Sequence, residues 1–399
     1  MEQWKTYTLE ELTIGKGTYG IGASAVPYDS SKYTYLRITD INDDGTLNKN
    51  ELKSVDDVDA DKYVLQVNDI VFARTGNSTG RSYFYDGSDG VLVYAGFLIK
   101  FSLDPAKVNP RIMKYYTHSQ EYYDWVKSFD TGGTRGNINA KTYGSMPITL
   151  PPREVQDKIV EVLKSIDEKI DLNKRINDNL EQQAQAIYKS WFIDNFQAHW
   201  QETSLADVTC KITDGVHNTV IDCPDGEYFL LSCKNIKNGT LDISSTERKI
   251  NRETFNKLRK RTQLGKGDIL LTSVGTIGEL MLLNEDSYNF EFQRSVAIIK
   301  PNENFISSFF LYGTLKSQID KIKNTAHGAV QQCIFLSDLK EYSIHIPEFE
   351  LISQYDQIVK PLFDEKVKRE KEIKRLNALR DTLLPKLMSG ELKINEIDC

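Results

Sequence analysis

The sequence predicts an α+β protein in which two similar mixed α/β domains are separated by two long helices that pair as an antiparallel coiled coil. Two observations predict this fold. An ordered set of short motifs occurs twice, at an offset of about half of the 399-residue chain. Each copy of the set is followed by a long stretch with the apolar periodicity of a helix. The chain therefore has an internal two-fold repeat of domain, helix, domain and helix.

The repeated motifs occur in the same order in both copies. The first copy carries Trp4 with Leu9, Tyr35-Leu36, Asp69-Ile70 before Gly76, and Ile148 before Pro151, and the second carries Trp200 with Leu205, Phe229-Leu230, Asp268-Ile269 before Gly275, and Ile344 before Pro347. One match arises easily by chance, whereas an ordered set at a nearly constant offset does not. We place the first domain at residues 1–150 and the second at residues 200–347.

Both domains have the composition of short strands joined by loops. Apolar runs such as residues 63–67 and 268–271 alternate with turn pairs such as Asp44-Gly45. Helical spacing of apolar residues occurs at 109–126 in the first domain and at 307–323 in the second. The pattern indicates mixed α/β domains, largely of short strands and loops.

The segment between the domains, residues 151–199, predicts one long spacer helix. Residues 154–192 contain neither glycine nor proline. Their apolar residues follow a heptad period, which is typical of a coiled-coil seam. Asn173 and Asn177 occupy two seam positions, where a polar side chain costs stability but selects register and partner. We interpret both asparagines as register residues.

A second spacer helix is predicted within residues 348–399. Its apolar stripe is less regular, because residues 366–375 are a dense mixture of both charges. That run is most simply a solvated helix face. Pro385, followed by Ser389-Gly390, is predicted to end this helix. Two long helices of similar length in one chain most simply pair with each other.

Charge, cysteine content and hydropathy exclude several classes of protein. The net charge of -7 argues against a free-standing, non-specific nucleic-acid binder, but it leaves local positive charge open. The five cysteines form no CxxC motif, which argues against a disulfide framework or a zinc ribbon. Because the apolar runs are short and the N-terminal residues lack a signal-peptide pattern, we expect a cytoplasmic protein without a membrane span.

The motifs favour a non-catalytic protein. Residues 15–20 match G-x-G-x-x-G, but no strand is predicted before them, so they indicate a flexible turn and not a dinucleotide site. The sequence has no P-loop motif, and its five histidines lack metal-ligand spacing. We therefore predict no catalytic residue, no metal site and no cofactor bound by this chain.

Polar and basic side chains on glycine-rich loops are the candidates for contact with DNA. Arg, Asn and Gln bond bidentately to base edges, and glycine lets the backbone approach a phosphate. In the first domain the candidates are Arg37, Arg74, Arg81, Arg135, Asn137, Asn139 and Lys141, and in the second they are His217, Asn218, Ser273, Thr276, Gln293, Arg294, His327, Gln331 and Gln332. Each one is also consistent with an ordinary loop residue. The corresponding loops keep a glycine but change the polar residues, as one scaffold with two different reading surfaces would.

The duplicated Trp-x4-Leu start, the Asp-Ile motif with its following glycine, and the segments 156–160, 187–192 and 214–219 together resemble the specificity subunits of type I restriction-modification systems. The resemblance covers essentially the whole chain. It implies two target recognition domains, each reading one half of a bipartite site in double-stranded DNA, and spacer helices between them.

The resemblance also implies a division of roles among subunits. Adenine methylation, restriction and ATP-driven translocation belong to partners, namely modification (methyltransferase) subunits, expected to be two, and restriction/translocase subunits. S-adenosylmethionine, ATP and Mg are then expected on those partners. Two alternatives stay open on the sequence: a two-domain coiled-coil scaffold that binds proteins, and an enzyme (methyltransferase or nuclease) with an unrecognised site.

Overall fold

The computed structural model describes residues 4–129, 136–244, 246–285, 287–328 and 332–392. It divides into two compact units, of which the first comprises Met1–Ile170 with Lys374–Cys399 and the second comprises Asp171–Ile373. Each unit contains one copy of the repeat and a segment of both long helices. Among the described residues, no helix is both long and apolar enough to cross a membrane.

The first unit contains two four-stranded sheets and one two-stranded sheet. The strands are β1 (Lys5–Thr8), β2 (Thr18–Tyr19), β3 (Ala25–Pro27), β4 (Tyr33–Leu36), β5 (Lys53–Val55), β6 (Asp69–Ala73), β7 (Ser82–Tyr85), β8 (Leu92–Tyr94), β9 (Leu98–Ser102) and β10 (Pro147–Leu150). The helices that lie wholly in this unit are α1 (Ile112–Tyr116), α2 (Gln120–Lys127) and α3 (Ala140–Gly144), and the long helix α4 (Arg153–Tyr188) begins here. The sheet orders are β2-β9-β6-β7, β3-β5-β4-β8 and β1-β10.

The second unit repeats this plan. The strands are β11 (Gln201–Ser204), β12 (Thr209–Asp214), β13 (Tyr228–Leu231), β14 (Ile236–Lys237), β15 (Thr240–Leu241), β16 (Lys249–Ile250), β17 (Ile269–Thr272), β18 (Leu280–Leu282), β19 (Phe290–Phe292), β20 (Val296–Pro301) and β21 (Ser343–Ile346). The helices are α5 (Leu205–Val208), α6 (Arg252–Thr262), α7 (Ser308–Ser317), α8 (Ile319–Lys323), α9 (Leu336–Glu341) and the first part of α10 (Phe349–Met388). The order β12-β20-β17-β18 corresponds to β2-β9-β6-β7, and the order β16-β13-β19 corresponds to β5-β4-β8.

The repeated Asp-Ile motif has a structural cause. Asp69 is buried, and its carboxylate accepts hydrogen bonds from Ser102 Oγ at 2.6 Å and from the backbone N of Gln66 at 2.8 Å. At the matched place, the Asp268 carboxylate accepts a hydrogen bond from Gly265 N at 2.8 Å. Both carboxylates therefore hold the turn at the start of a fully buried central strand.

The repeated start and end of each domain also meet. β1 pairs antiparallel with β10, so that Lys5 lies opposite Leu150, and β11 pairs with β21, so that Gln201 lies opposite Ile346. The leucine of the Trp-x4-Leu start is buried in both copies, at Leu9 and Leu205. Each domain is thus closed by a short sheet just before its long helix begins.

The first long helix agrees with the predicted seam. Ile159, Leu163, Ile166 and Ile170 are buried along α4. The α-helix was expected over residues 154–192, but α4 ends at Tyr188 and continues as a π-helical turn, Lys189–Ile193. This turn keeps Phe192 buried against Trp200 and Tyr355, with ring centroids 5.9 and 5.1 Å away.

The two long helices are antiparallel within each unit. In the second unit, contacts join Asn173 to Arg369 and Tyr188 to Tyr355, so positions rise along α4 as they fall along α10. In the first unit, Arg380 Nη1 donates to Asp167 Oδ1 at 3.4 Å. The prediction that the two helices pair as an antiparallel coiled coil is confirmed.

Several predicted elements need correction. Pro385 does not end α10, which continues to Met388; the chain leaves the helix at Ser389-Gly390, where Gly390 adopts φ +73°. The helix expected at 109–126 is two helices, because the Ser119 side chain caps α2 by accepting from Tyr122 N. The helix expected at 307–323 is likewise divided into α7 and α8.

The glycine motif at residues 15–20 forms a strand and not a flexible turn. Its Thr18–Tyr19 segment is β2, an edge strand. Gly17 lies against the Phe101 ring, where an added Cβ would meet a ring carbon at 2.4 Å. The motif therefore serves packing of the sheet.

Candidate nucleic-acid interface

Four loops of the first unit meet at one end of the β2-β9-β6-β7 sheet. The backbone bonds that join them run from Ile21 N to Tyr94 O (3.1 Å), from Arg74 N to Phe97 O (3.1 Å) and from Ile138 N to Arg74 O (3.0 Å). Only glycine fits at position 20, because a Cβ there would meet Tyr94 O at 2.3 Å. We call this surface loop face 1 and define it as residues 19–22, 74, 95–97 and 136–141.

The second unit assembles the matching surface with matching bonds. They run from Val216 N to Phe292 O (2.8 Å), from Ser273 N to Ser295 O (2.9 Å) and from Ile334 N to Ser273 O (2.9 Å). Gly215 takes the place of Gly20, since a Cβ there would meet Phe292 O at 2.1 Å. We call this surface loop face 2 and define it as residues 214–218, 273–276, 293–295, 327–328 and 332–334. The two faces share a backbone and differ in their side chains.

Arg74 is the basic candidate at the centre of loop face 1. Its guanidinium carbon lies 5.0 Å from the ring centroid of Tyr19, which is cation–π geometry. The Tyr19 hydroxyl accepts a hydrogen bond from Ala140 N at 3.1 Å, which fixes the ring. Among the described residues, buried Nε of Arg74 has no hydrogen-bond partner. The arginine is therefore oriented by an aromatic ring, and in the described part of the chain its guanidinium forms no ion pair with an acid.

The loop that leads into α3 supplies the other polar groups of loop face 1. Asn137, Asn139 and Lys141 are all exposed. Asn139 Oδ1 accepts from Thr142 N at 2.9 Å and so caps α3. The preceding candidate, Arg135, lies outside the described residues.

The other two arginine candidates of the first unit are bound to acids. Arg37 Nε and Nη2 donate to the two carboxylate oxygens of Asp40 at 2.8 and 2.6 Å. These hydrogen bonds raise the pKa of the Arg37 guanidinium. Arg81 Nη2 lies 2.6 Å from Asp43, and its Nη1 donates to Ile41 O at 3.1 Å. Both side chains hold loops together, and their contact with DNA stays a prediction.

Both histidines of loop face 2 are exposed, and each faces a carboxylate. His217 Nε2 lies 2.6 Å from Asp214 Oδ2, and His327 Nε2 lies 3.1 Å from Asp338 Oδ2. The His327 ring also stacks on Phe335, with centroids 4.9 Å apart. These contacts orient both imidazoles beside the exposed loop.

The remaining candidates of the second unit differ in accessibility. Ser273 is 3% exposed, so its side chain is buried, and it contributes to loop face 2 through the backbone bonds to Ser295 and Ile334. Gln293 is half-buried, and the exposed candidates are Asn218, Thr276, Arg294 and Gln332. Gln331 lies outside the described residues.

Loop face 2 mixes both signs of charge. Burial raises the pKa of the Cys333 thiol, the nearby Arg294 guanidinium opposes that rise, and the carboxylates of Asp338 and Asp214 add to it. Loop face 2 thus contains Asp214 as well as Arg294, whereas the residues that define loop face 1 include no acid. The two faces differ in charge as well as in residue type.

Exposed aromatic side chains were missing from the sequence-based candidates. Tyr19 and Phe97 of loop face 1 are 42% and 59% exposed, and Phe335 beside loop face 2 is 49% exposed. Each of these aromatic residues lies beside loops that contain the polar residues predicted to contact DNA. Their sequence signal was the glycine next to Tyr19 and Phe97, namely Gly20 and Gly96.

The two seam asparagines are buried in α4. Asn173 is 0% and Asn177 is 5% exposed, and Asn173 Oδ1 accepts from Arg369 Nη1 of α10 at 3.4 Å. Within the described ranges, Asn173 Nδ2 and Asn177 Oδ1 have no hydrogen-bond partner. Both asparagines are therefore buried, as expected for residues in a coiled-coil seam. Their role in selecting the register stays a prediction.

Comparison with known proteins agrees with this architecture. Residues 1–182 and 198–375 match the family described as "Type I restriction modification DNA specificity domain". The chain is 22% identical to the type I restriction enzyme HindI specificity subunit of Haemophilus influenzae, over 98% of this chain and 100% of that protein. It is 23% identical to the MjaIX specificity subunit of Methanocaldococcus jannaschii, over 71% of this chain and 69% of that protein.

A solved structure shares the fold. The crystal structure of the type I restriction-modification S subunit from M. genitalium matches with a TM-score of 0.53 and 17% identity, over 96% of both chains. The family match occurs twice and spans most of the sequence, once in each copy of the repeat. The chain therefore belongs to the type I restriction-modification DNA specificity family.

Proposed function

We propose that each unit reads one half of a bipartite DNA target through its loop face, within a type I restriction-modification complex. Members of this family are non-catalytic DNA-recognition subunits, and the catalytic activities lie on the subunits with which they assemble. The observation that carries the proposal is the duplicated face. The same three backbone bonds assemble loop faces 1 and 2, while the side chains that project from them differ.

The chemistry of each face is suited to a different half-site. Loop face 1 presents Arg74, Asn137 and Lys141, which are donors for base edges and phosphates. Loop face 2 presents two oriented histidines together with Asn218 and Arg294. Different donors on one scaffold produce different base preferences, so the two half-sites need not be related in sequence.

The proposed organisation follows the repeat. Residues 1–150 and 200–347 are the two target recognition domains, and residues 151–199 and 348–399 are the spacer segments. Two modification subunits and the restriction/translocase subunits are the proposed partners, which bind S-adenosylmethionine, ATP and Mg. The modification subunits then flip and methylate an adenine in each half-site.

The test is a map of adenine methylation in cells with and without this gene. We expect one bipartite motif to lose methylation when the gene is deleted and to regain it when the gene is restored. A methylation pattern that does not depend on this chain contradicts the proposal. The family match favours DNA recognition over a protein-binding scaffold. If the chain were only a scaffold, the assembled complex would not bind DNA in a sequence-specific way.

A further inference from the structure

Phe97 is an exposed phenylalanine among the candidate DNA-reading residues of loop face 1. It lies in the turn between β8 and β9, directly after Gly96, and is 59% exposed. Its backbone O accepts from Arg74 N at 3.1 Å, which places the residue beside Arg74 in loop face 1. Single exposed apolar side chains are common on protein surfaces, so the informative observation is the position of this one beside candidate DNA-reading groups.

The neighbours of Phe97 identify the groove that the ring would meet. The Arg74 backbone N donates to Phe97 O, and Arg74 O accepts from Ile138 N. Exposed Asn137 directly precedes Ile138. Arginine and asparagine recognise guanine and adenine by bidentate bonds in the major groove, where every base pair has a distinct pattern. Minor-groove proteins also use arginine and asparagine, but that groove distinguishes only A·T from G·C pairs. A half-site of defined sequence therefore favours the major groove for loop face 1.

The major-groove edge of a base pair carries one apolar group, the C5-methyl of thymine. We propose that Phe97 contacts the methyl group of one thymine in the half-site read by the first unit, and so contributes directly to specificity. This inference rests on the proposed function of loop face 1. Burial of the methyl group between the ring and the DNA supplies the preference for thymine.

Loop face 2 lacks this device at the matched place. Ser295 O accepts from Ser273 N, just as Phe97 O accepts from Arg74 N, so Ser295 takes the place of Phe97. The Ser295 Oγ accepts from Cys233 N at 3.0 Å. The nearby exposed aromatic, Phe335, already stacks on His327. The methyl contact at this position of the scaffold is therefore expected in one half-site only.

The experiment measures methylation of duplexes by the complete methyltransferase complex. Each thymine of both half-sites is replaced singly by deoxyuridine, which removes the C5-methyl and preserves base pairing. We expect the wild-type complex to methylate one substituted duplex about fourfold less efficiently, the effect of one buried methyl-sized group. The Phe97→Ala complex should methylate that duplex and the thymine duplex equally, and Phe97→Leu should retain part of the preference.

Phe305→Ala is the matched control. Phe305 is 58% exposed, much like Phe97. Loop face 2 precedes the first residue of β20, whereas Phe305 follows the last, so it lies away from that face. This variant should therefore keep the full preference for thymine. Indifference of the wild-type complex to deoxyuridine at every position overturns the role of Phe97 but leaves DNA reading intact. A preference that persists in Phe97→Ala also overturns it. A wild-type complex that methylates DNA without regard to sequence overturns the proposed function itself.

Discussion

Three arginines of the first unit are candidates from the sequence but have different neighbours in space. Arg37 and Arg81 each bind an aspartate, whereas Arg74 lies over the ring of Tyr19. A guanidinium that already has a carboxylate must exchange that partner for a phosphate or a base edge, which lowers the net gain. Arg74 has no carboxylate partner in the part of the chain that the structure describes, so it is the strongest candidate for base contact in loop face 1.

Replacement of Arg74 by alanine should weaken the half-site read by the first unit. If Arg74 contacts a base edge, the loss is about 1–3 kcal/mol and recognition relaxes at one position. The measurement is the efficiency of methylation on a set of duplexes with each base of the first half-site varied. The second half-site should be read as before. Unchanged discrimination at every position would remove Arg74 from the reading set.

Arg37→Ala is the matched arginine control for that measurement. Its bidentate pair with buried Asp40 is a structural contact, so the free energy of unfolding should fall by about 1–3 kcal/mol while the recognised sequence stays the same. Thermal unfolding and the methylation assay together separate the two arginines. A changed motif in Arg37→Ala would show that its ion pair opens on DNA.

At this scale the sequence predicted polar candidates but not their partners. Asp40 lies three residues after Arg37, a spacing visible in the sequence, yet the short helical turn that joins them was not predicted. Tyr19 and Phe97 were missed because aromatic residues are normally assigned to the core. Their exposure depends on the loops that meet at the end of β9, which only the fold reveals.

At the scale of elements, a buried ion pair attaches α10 to the rest of the second unit. Lys366 Nζ lies 3.0 Å from Glu181 Oε2 of α4, and the Tyr312 hydroxyl of α7 donates to Glu181 Oε1 at 2.8 Å. Burial alone raises the pKa of Glu181, but the Lys366 charge and the hydrogen bonds of Tyr312 and Gln185 outweigh it, so the pKa lies below its ordinary value. This carboxylate therefore stabilises the fold in its ionised form.

Removal of the lysine should leave Glu181 buried without a counter-charge. Lys366→Met is expected to lower the free energy of unfolding at neutral pH by about 3 kcal/mol. In the variant, burial holds the folded pKa of Glu181 above its unfolded value, so stability is lost as pH rises from about 4.5. In the wild type the folded pKa of Glu181 lies below its unfolded value, so stability is lost as the pH falls below about 4.5. The difference between the two proteins should therefore increase with pH.

Thermal unfolding at pH 4 and pH 7 tests this expectation. The double variant Glu181→Gln with Lys366→Met has no titrating group at the site, so its deficit relative to the wild type should vary less with pH than that of Lys366→Met. An equal deficit of Lys366→Met at both pH values would show that the lysine acts only through packing of its carbon chain.

The sequence predicted the long helices well and the short ones less well. The heptad pattern of α4 is strong because each seam position repeats the same requirement for burial. The helices at 109–126 and 307–323 were predicted as continuous because their apolar spacing continues across the break. The actual breaks depend on local contacts, such as the capping hydrogen bond of Ser119, that periodicity does not report.

At the scale of the whole molecule, the duplicated unit predicts separable readers. Residues 1–150 contain all of loop face 1, and residues 200–347 contain all of loop face 2. Replacement of residues 1–150 by the corresponding domain of a family member with another target should change one half of the methylated motif. The measurement is single-molecule methylation sequencing. A motif changed in both halves would show that the readers are not independent.

The antiparallel long helices are expected to set the distance between the two half-sites. α4 has 36 residues, which span about 54 Å at 1.5 Å per residue. We would insert one heptad after Asn173 in α4 and one after Lys368 in α10. The bond of Asn173 to Arg369 and the ion pair of Glu181 with Lys366 then lie on opposite sides of the inserts, which face each other and keep the seam in phase.

The paired inserts should lengthen both helices by roughly 10 Å, or about three base pairs of duplex at 3.4 Å each. We expect the methylated motif to keep both half-site sequences and to gain that many unread base pairs between them. A heptad inserted in α4 alone has no partner in α10, so it should bulge and change the gap less. An active complex with paired inserts and the original gap would show that another element sets the distance between the half-sites.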